Sequence, residues 1–269
     1  MGSNDIPPPH VPSSYHAVST ALLFLGALGY TSAYLLMTLQ SLRDRTYAMP
    51  LFSLALNLSW EIVFACYVAE SLPEKSAFTV WMILDVGLVY AVVKHGAREW
   101  EASPLVARNI GKILGICVLW CCTMLWAFSK WWIQSYAPAH LVQGKIYLGV
   151  NGIDTTELGW WTALAAQVVL SVMSLAQIVV RGSSRGASWA IWITRFLGSV
   201  LGYLVYYGYC WWVWPEAHAY FVHPVAVVGS VTWALADIGF AVVMLVVKAQ
   251  EDAGGDEREG GKRQGRKRR

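Results

Sequence analysis

The chain has 269 residues, 56% hydrophobic and only 14% charged, with a net charge of +3. Soluble proteins carry roughly 25% charged residues, and here the charges sit in short polar stretches between long apolar ones. That patterning argues against a soluble domain and for a multi-span membrane protein.

Residues 1–16 lack the basic start and apolar run of a signal peptide and form a short lumenal tail, ordered or flexible. Seven stretches follow that reach the roughly 20 residues a membrane helix needs. They lie near 17–40, 48–69, 76–93, 111–129, 158–180, 188–212 and 224–247. No period-two alternation suggests a β-barrel. The expected fold is all-α, an integral membrane bundle of seven helices over 17–247.

The 130–157 connection is too aromatic for a simple linker, and is expected to lie on or dip into the membrane surface as a lid does. Residues 248–269, ending "GGDEREGGKRQGRKRR", read as a disordered basic cytosolic tail within reach of anionic head groups. Tethered to seven spans, it is no nucleic-acid binder. Lys and Arg number sixteen in the connections on one side and three on the other. The amino terminus is therefore expected in the lumen, of the endoplasmic reticulum, and the carboxyl terminus in the cytosol.

The five cysteines, Cys66, Cys117, Cys121, Cys122 and Cys210, fall within predicted spans and form no CxxC pair. Packing is the expectation for them, not a disulfide framework or a zinc site.

Four ionisable residues fall inside the spans: Glu61, Asp85, Arg195 and Asp237. Such residues usually face the bundle interior and mark function. Asp85 and Arg195 can form a structural ion pair, which leaves Glu61 and Asp237 without a basic partner. An unpaired carboxyl away from water either donates a proton as a general acid or bonds neighbouring helices together. Asn57 stands one turn before Glu61, and Trp233 one turn before Asp237, each on the face of its acid.

Of the 15 tryptophans, Trp131, Trp132, Trp160, Trp161, Trp189, Trp192, Trp211, Trp212 and Trp214 fall at span ends, as an aromatic belt requires. Trp120 reads as core packing. Trp60 and Trp233, beside acids, present faces that can steady a cation. Tyr203, Tyr206, Tyr207 and Tyr209 of "YLVYYGYCWW" add further lining.

Phosphate-loop, HExxH, GxSxG and DDxxD motifs are missing, and Asp154 with Glu157 makes only a weak DxxE. Lys248 stands at the end of the seventh span, unsuited to a retinal Schiff base. Acids and aromatics without a metal or phosphate grip point to an uncharged lipophilic substrate and to no cofactor.

"NLSWEIVF", "WMILDVGLVY", "ITRFLGSVLGY" and "ADIGF", on spans two, three, six and seven, resemble the fungal integral-membrane terpene cyclases of meroterpenoid and indole-diterpene pathways, pyripyropene- and paspaline-type included. The resemblance covers nearly the whole membrane core. It implies proton-initiated cyclisation of a prenyl chain, generally a terminal epoxide, with Glu61 and Asp237 as the essential acids. Asn57, Trp60, Trp233, Tyr207, Asp85 and Arg195 are the expected substrate-binding residues. The expected partners are a prenylated epoxide, membrane lipid, and a pathway prenyltransferase and epoxidase. Two other readings stay open. A sterol-type isomerase would act on an alkene, and a receptor or proton-coupled transporter would make no product.

Overall fold

Hydrocarbon offers a peptide group no partner, so each apolar stretch satisfies its own backbone as one long helix. The computed structural model describes residues 2–267, with side chains described through Ala253. Its seven spans are α1 (Tyr15–Asp44), α2 (Leu51–Val68), α3 (Leu72–Trp100), α4 (Pro104–Ala139), α5 (Thr155–Arg181), α6 (Trp189–Val213) and α7 (Pro224–Ala253). All seven expected stretches are present, most extended by a turn or more. The expected disordered tail begins as helix through Ala253, and the rest of it lies outside the described side chains.

Local chemistry fixes several helix starts. Ser71 and Glu74 form a capping box ahead of α3, and Ser188 accepts from Ile191 N at 3.3 Å ahead of α6. Asp154 caps α5 by accepting from Thr156 N (2.7 Å) and Glu157 N (3.1 Å). The DxxE of the sequence is thus a helix start.

The spans pack pairwise, α5 along α7, α1 along α6, and α2 along α4. Glycines let α1 and α6 meet backbone to backbone. A Cβ on Gly26 would stand 2.6 Å from the Gly202 Cα, and one on Gly29 2.7 Å from the Gly198 Cα. This is small-residue packing, which serves where water supplies no driving force between helices. The shortest span, α2, contacts α3, α4 and α5. It is also the most enclosed, with 50% of its apolar window buried against 22–33% elsewhere. Glu61 rides on that helix, and so is kept from lipid.

The amino tail is ordered and closes one end of the bundle. Asp5 is buried and accepts from Lys145 Nζ at 2.9 Å and Ile146 N at 3.2 Å, while Ile6 N donates to Gly144 O at 2.8 Å. Lys145 belongs to the 130–157 connection, where α4 continues to Ala139 and a small hairpin follows. The hairpin pairs β1 (Ile146–Tyr147) with β2 (Val150–Asn151). Lys145 is only 1% exposed, with Asp154 at 3.8 Å. Burial alone would lower the ammonium's pKa, but Asp154 and Asp5 outweigh it and hold it above its ordinary value.

His218 completes this cap. It is fully buried, with Nε2 3.1 Å from the Tyr15 hydroxyl and 3.5 Å from Lys145 Nζ, and Nδ1 2.7 Å from the Tyr220 hydroxyl. Burial, then Lys145, holds its pKa well below the ordinary histidine value. The folded protein keeps the ring neutral, whereas an unfolded chain takes up a proton below about pH 6.5. The contribution is therefore present above that pH and is lost as pH falls toward the depressed folded value. Asp154, raised by burial, titrates the opposite way at lower pH. The melting temperature in detergent should be lower at pH 5.5 than at pH 7.5, and His218→Gln should shrink that difference.

Candidate active site

The centre of the bundle holds a polar seam built from six spans. At one side, Asn57 of α2 points its amide at three oxygens. They are Glu61 Oε1 (3.0 Å), Asp85 Oδ2 of α3 (3.0 Å) and the Tyr34 hydroxyl of α1 (2.7 Å). Helical spacing places Asn57 over Glu61, one turn on. Glu61 and Asp85 are fully buried and close enough to feel each other's charge. Neither forms an ion pair with Lys or Arg among the described residues, and Glu61 Oε2 and Asp85 Oδ1 lack hydrogen-bond partners there.

One turn back on α1, the Tyr30 ring packs edge-on to Tyr34 at 6.2 Å. Its hydroxyl donates to Gln167 of α5 and lies 2.7 Å from Ser199 of α6. Gln167 in turn donates to Ser171 at 3.1 Å. Beyond these residues Arg195 of α6 pairs with Asp237 of α7 and donates to Ser174 at 3.0 Å. Arg195 also lies over the Phe240 ring at 5.4 Å. A narrow crevice of about 20 Å³ leads from Arg181, Arg185 and Gln177 toward Arg195.

The expected pairing is therefore corrected. Asp85 joins Glu61 around Asn57, and Arg195 takes Asp237, which is not left without a cation. Spacing along single helices cannot distinguish these arrangements, because they depend on which spans adjoin. Tyr30, Tyr34, Gln167 and Ser199 were missed, since a hydroxyl or amide in an apolar run carries no sequence signal as strong as a charge.

Aromatic walls flank the seam. Trp60 packs tilted on Phe64 (4.7 Å) and edge-on to Phe78 (5.0 Å), and donates its indole N–H to Thr162 at 3.0 Å. On the other side Trp160, Tyr203, Tyr207 and Trp233 form one cluster, Trp160 and Tyr207 lying 4.6 Å apart. Two expectations fail here. Trp120 is 67% exposed on the outer surface and is no core residue, while Trp132, Trp160 and Trp214 turn inward. All five cysteines are free; Cys121 and Cys210 are buried as packing residues, whereas Cys66 is exposed.

A family model of Pyr4-like transmembrane terpene cyclases matches residues 4–250. The chain belongs to this family. Terpene cyclase ascF of Acremonium egyptiacum is 37% identical over 246 residues, covering 91% of this chain and 87% of that one. The Pyr4-family terpene cyclase mfmH of Annulohypoxylon moriforme is 31% identical, covering 89% and 90%. Terpene cyclase penB of Penicillium crustosum is 32% identical, covering 84% and 83%. No solved structure matches.

The family and fold expected from the resemblance hold, and this cyclase is a membrane-bound terpene-cyclising enzyme. The receptor, transporter and isomerase readings give way to it.

Proposed function

We propose that the cyclase protonates a terminal epoxide on the prenyl chain of a meroterpenoid or indole diterpene, using a proton held by Glu61 and Asp85. The observation that carries this reading is the Asn57 amide. It has two hydrogens for three oxygens, and two carboxyls without a cation beside them resist ionising together. A proton on one carboxyl supplies the missing donor. The Tyr34 hydroxyl, accepting from Asn57, keeps its own hydrogen for Glu61.

Glu61 passes the proton to the epoxide oxygen, a C–O bond opens, and chain alkenes capture the resulting cation in turn. Trp60, Trp233 and Tyr207 shield the cation and steady it with their ring faces. Asp237, paired with Arg195, suits the opposite task. Its Oδ2 has no hydrogen-bond partner among the described residues and can take the proton lost when the cascade ends. Asp85 shares the donor's proton, and Arg195 orients Asp237. No step draws on a metal or cofactor.

The excess of Lys and Arg at the ends of α1, α3, α5 and α7 supports a cytosolic placement of that end, with the amino cap in the lumen of the endoplasmic reticulum. A prenyltransferase and an epoxidase would supply the substrate there.

The test uses microsomes, a synthetic aryl prenyl epoxide and D2O. Cyclisation should give a product of unchanged mass with no deuterium on carbon, since the added proton goes to oxygen, and a chelator should leave the rate unchanged. A carbon-bound deuterium would mean alkene protonation instead. Loss of turnover with the chelator would end the metal-free reading.

A further inference from the structure

Trp160 and Trp233 are fully buried, yet the indole N–H of neither has a hydrogen-bond partner among the described residues. Buried indoles normally find an acceptor, because an unmade bond leaves lost hydration uncompensated. Other tryptophans at the seam follow that rule, Trp60 donating to Thr162 at 3.0 Å and Trp192 to Asp237 O at 2.9 Å. Two exceptions in one cluster call for an explanation.

The two indoles come from different spans and flank one ring. Tyr203 lies 5.4 Å from Trp160 and 6.5 Å from Trp233. Their cluster is made of aromatic and aliphatic side chains and Cys210. Besides tyrosine hydroxyls it offers apolar walls and two neutral indole donors without an acceptor. A hydrocarbon there would leave both donors empty, and a carboxylate would lack a counter-charge. A neutral oxygen on a flat, apolar body satisfies both conditions.

We propose that this compartment binds the unreacted, oxygen-bearing end of the substrate, with Trp160 and Trp233 donating to a phenol, ether or carbonyl oxygen. The inference rests on the epoxide-cyclisation reading and adds where the non-prenyl part sits. An indole N–H does not surrender its proton near neutral pH, so it anchors the substrate and leaves proton transfer to the carboxyls. Trp160 stands near the start of α5, and Trp233 one turn before Asp237. Holding the head group between them fixes how far the prenyl chain extends toward Glu61.

The experiment compares two terminal epoxides with the same prenyl chain, one with an oxygenated aromatic head and one whose head oxygens are replaced by hydrogen. In microsomes, Trp160→Phe should raise KM about threefold to tenfold for the oxygenated substrate, the worth of one neutral hydrogen bond. KM for the deoxygenated substrate should not change. The Trp160→Phe/Trp233→Phe pair should widen the gap, and outward-facing Trp120→Phe should leave both values alone. Because both substrates are read on the same preparation, the ratio does not depend on how much protein folds. An equal change on both substrates, or none on either, overturns the anchor while leaving cyclisation intact. Wild-type protein that cyclises neither epoxide would overturn both readings.

Discussion

Glu61→Gln and Asp85→Asn are each expected to lower cyclisation by at least about 100-fold, with protein abundance close to wild type. General acid catalysis contributes typically 10²- to 10⁴-fold, and both amides keep the shape and most hydrogen bonds of the acid they replace. What they lose is the proton. The measurement is product formation from a prenyl epoxide in microsomes, normalised to immunodetected enzyme. Charge at the site cannot explain a loss in Glu61→Gln, because the variant is neutral, as a protonated Glu61 would be. Full turnover by both variants would sink the proton-donor role. An inactive Glu61→Gln beside a fully active Asp85→Asn would confine the role to Glu61 and make Asp85 a structural carboxyl.

Arg195→Ala is expected to destabilise the protein by about 3–5 kcal/mol, the usual cost of stranding one member of a buried ion pair. Asp237, its partner, is fully buried and loses its counter-charge. Asp237→Asn strands the guanidinium instead and should also lower stability, though Ser174 and the Phe240 face still hold Arg195. Removing both charges, as in Arg195→Met/Asp237→Leu, should recover much of the stability, since an apolar replacement of a buried pair is often neutral or better. It should recover no activity. Melting temperatures in detergent, taken with product assays on the same preparations, separate the two effects. A double variant no more stable than Arg195→Ala would show that the pair's cost is not electrostatic.

How the chain reads depends on which forces act along one helix and which act between helices. The seven spans were legible because apolar length is a property of each segment alone, and so was the Asn57–Glu61 contact, one turn apart on a single face. The Asp85–Arg195 pairing was not, because nothing in either segment records which helices adjoin or how each is rotated. The same limit separates Trp120, which faces outward, from Trp160, which faces in. Both are large apolar residues in apolar runs. Lys145 lies in a connection between spans, and only folding brings Asp5 to it from 140 residues away.

The Asp5–Lys145 clasp bears on how this enzyme meets its substrate. The amino tail and the hairpin seal one mouth of the bundle, and glycine contact locks α1 to α6 along one flank. The proposed prenyl epoxide, dissolved in the bilayer, would then enter sideways between other helices. For such an enzyme the effective substrate concentration is a mole fraction within the membrane, and adding inert lipid dilutes it as surely as adding water dilutes a soluble reactant.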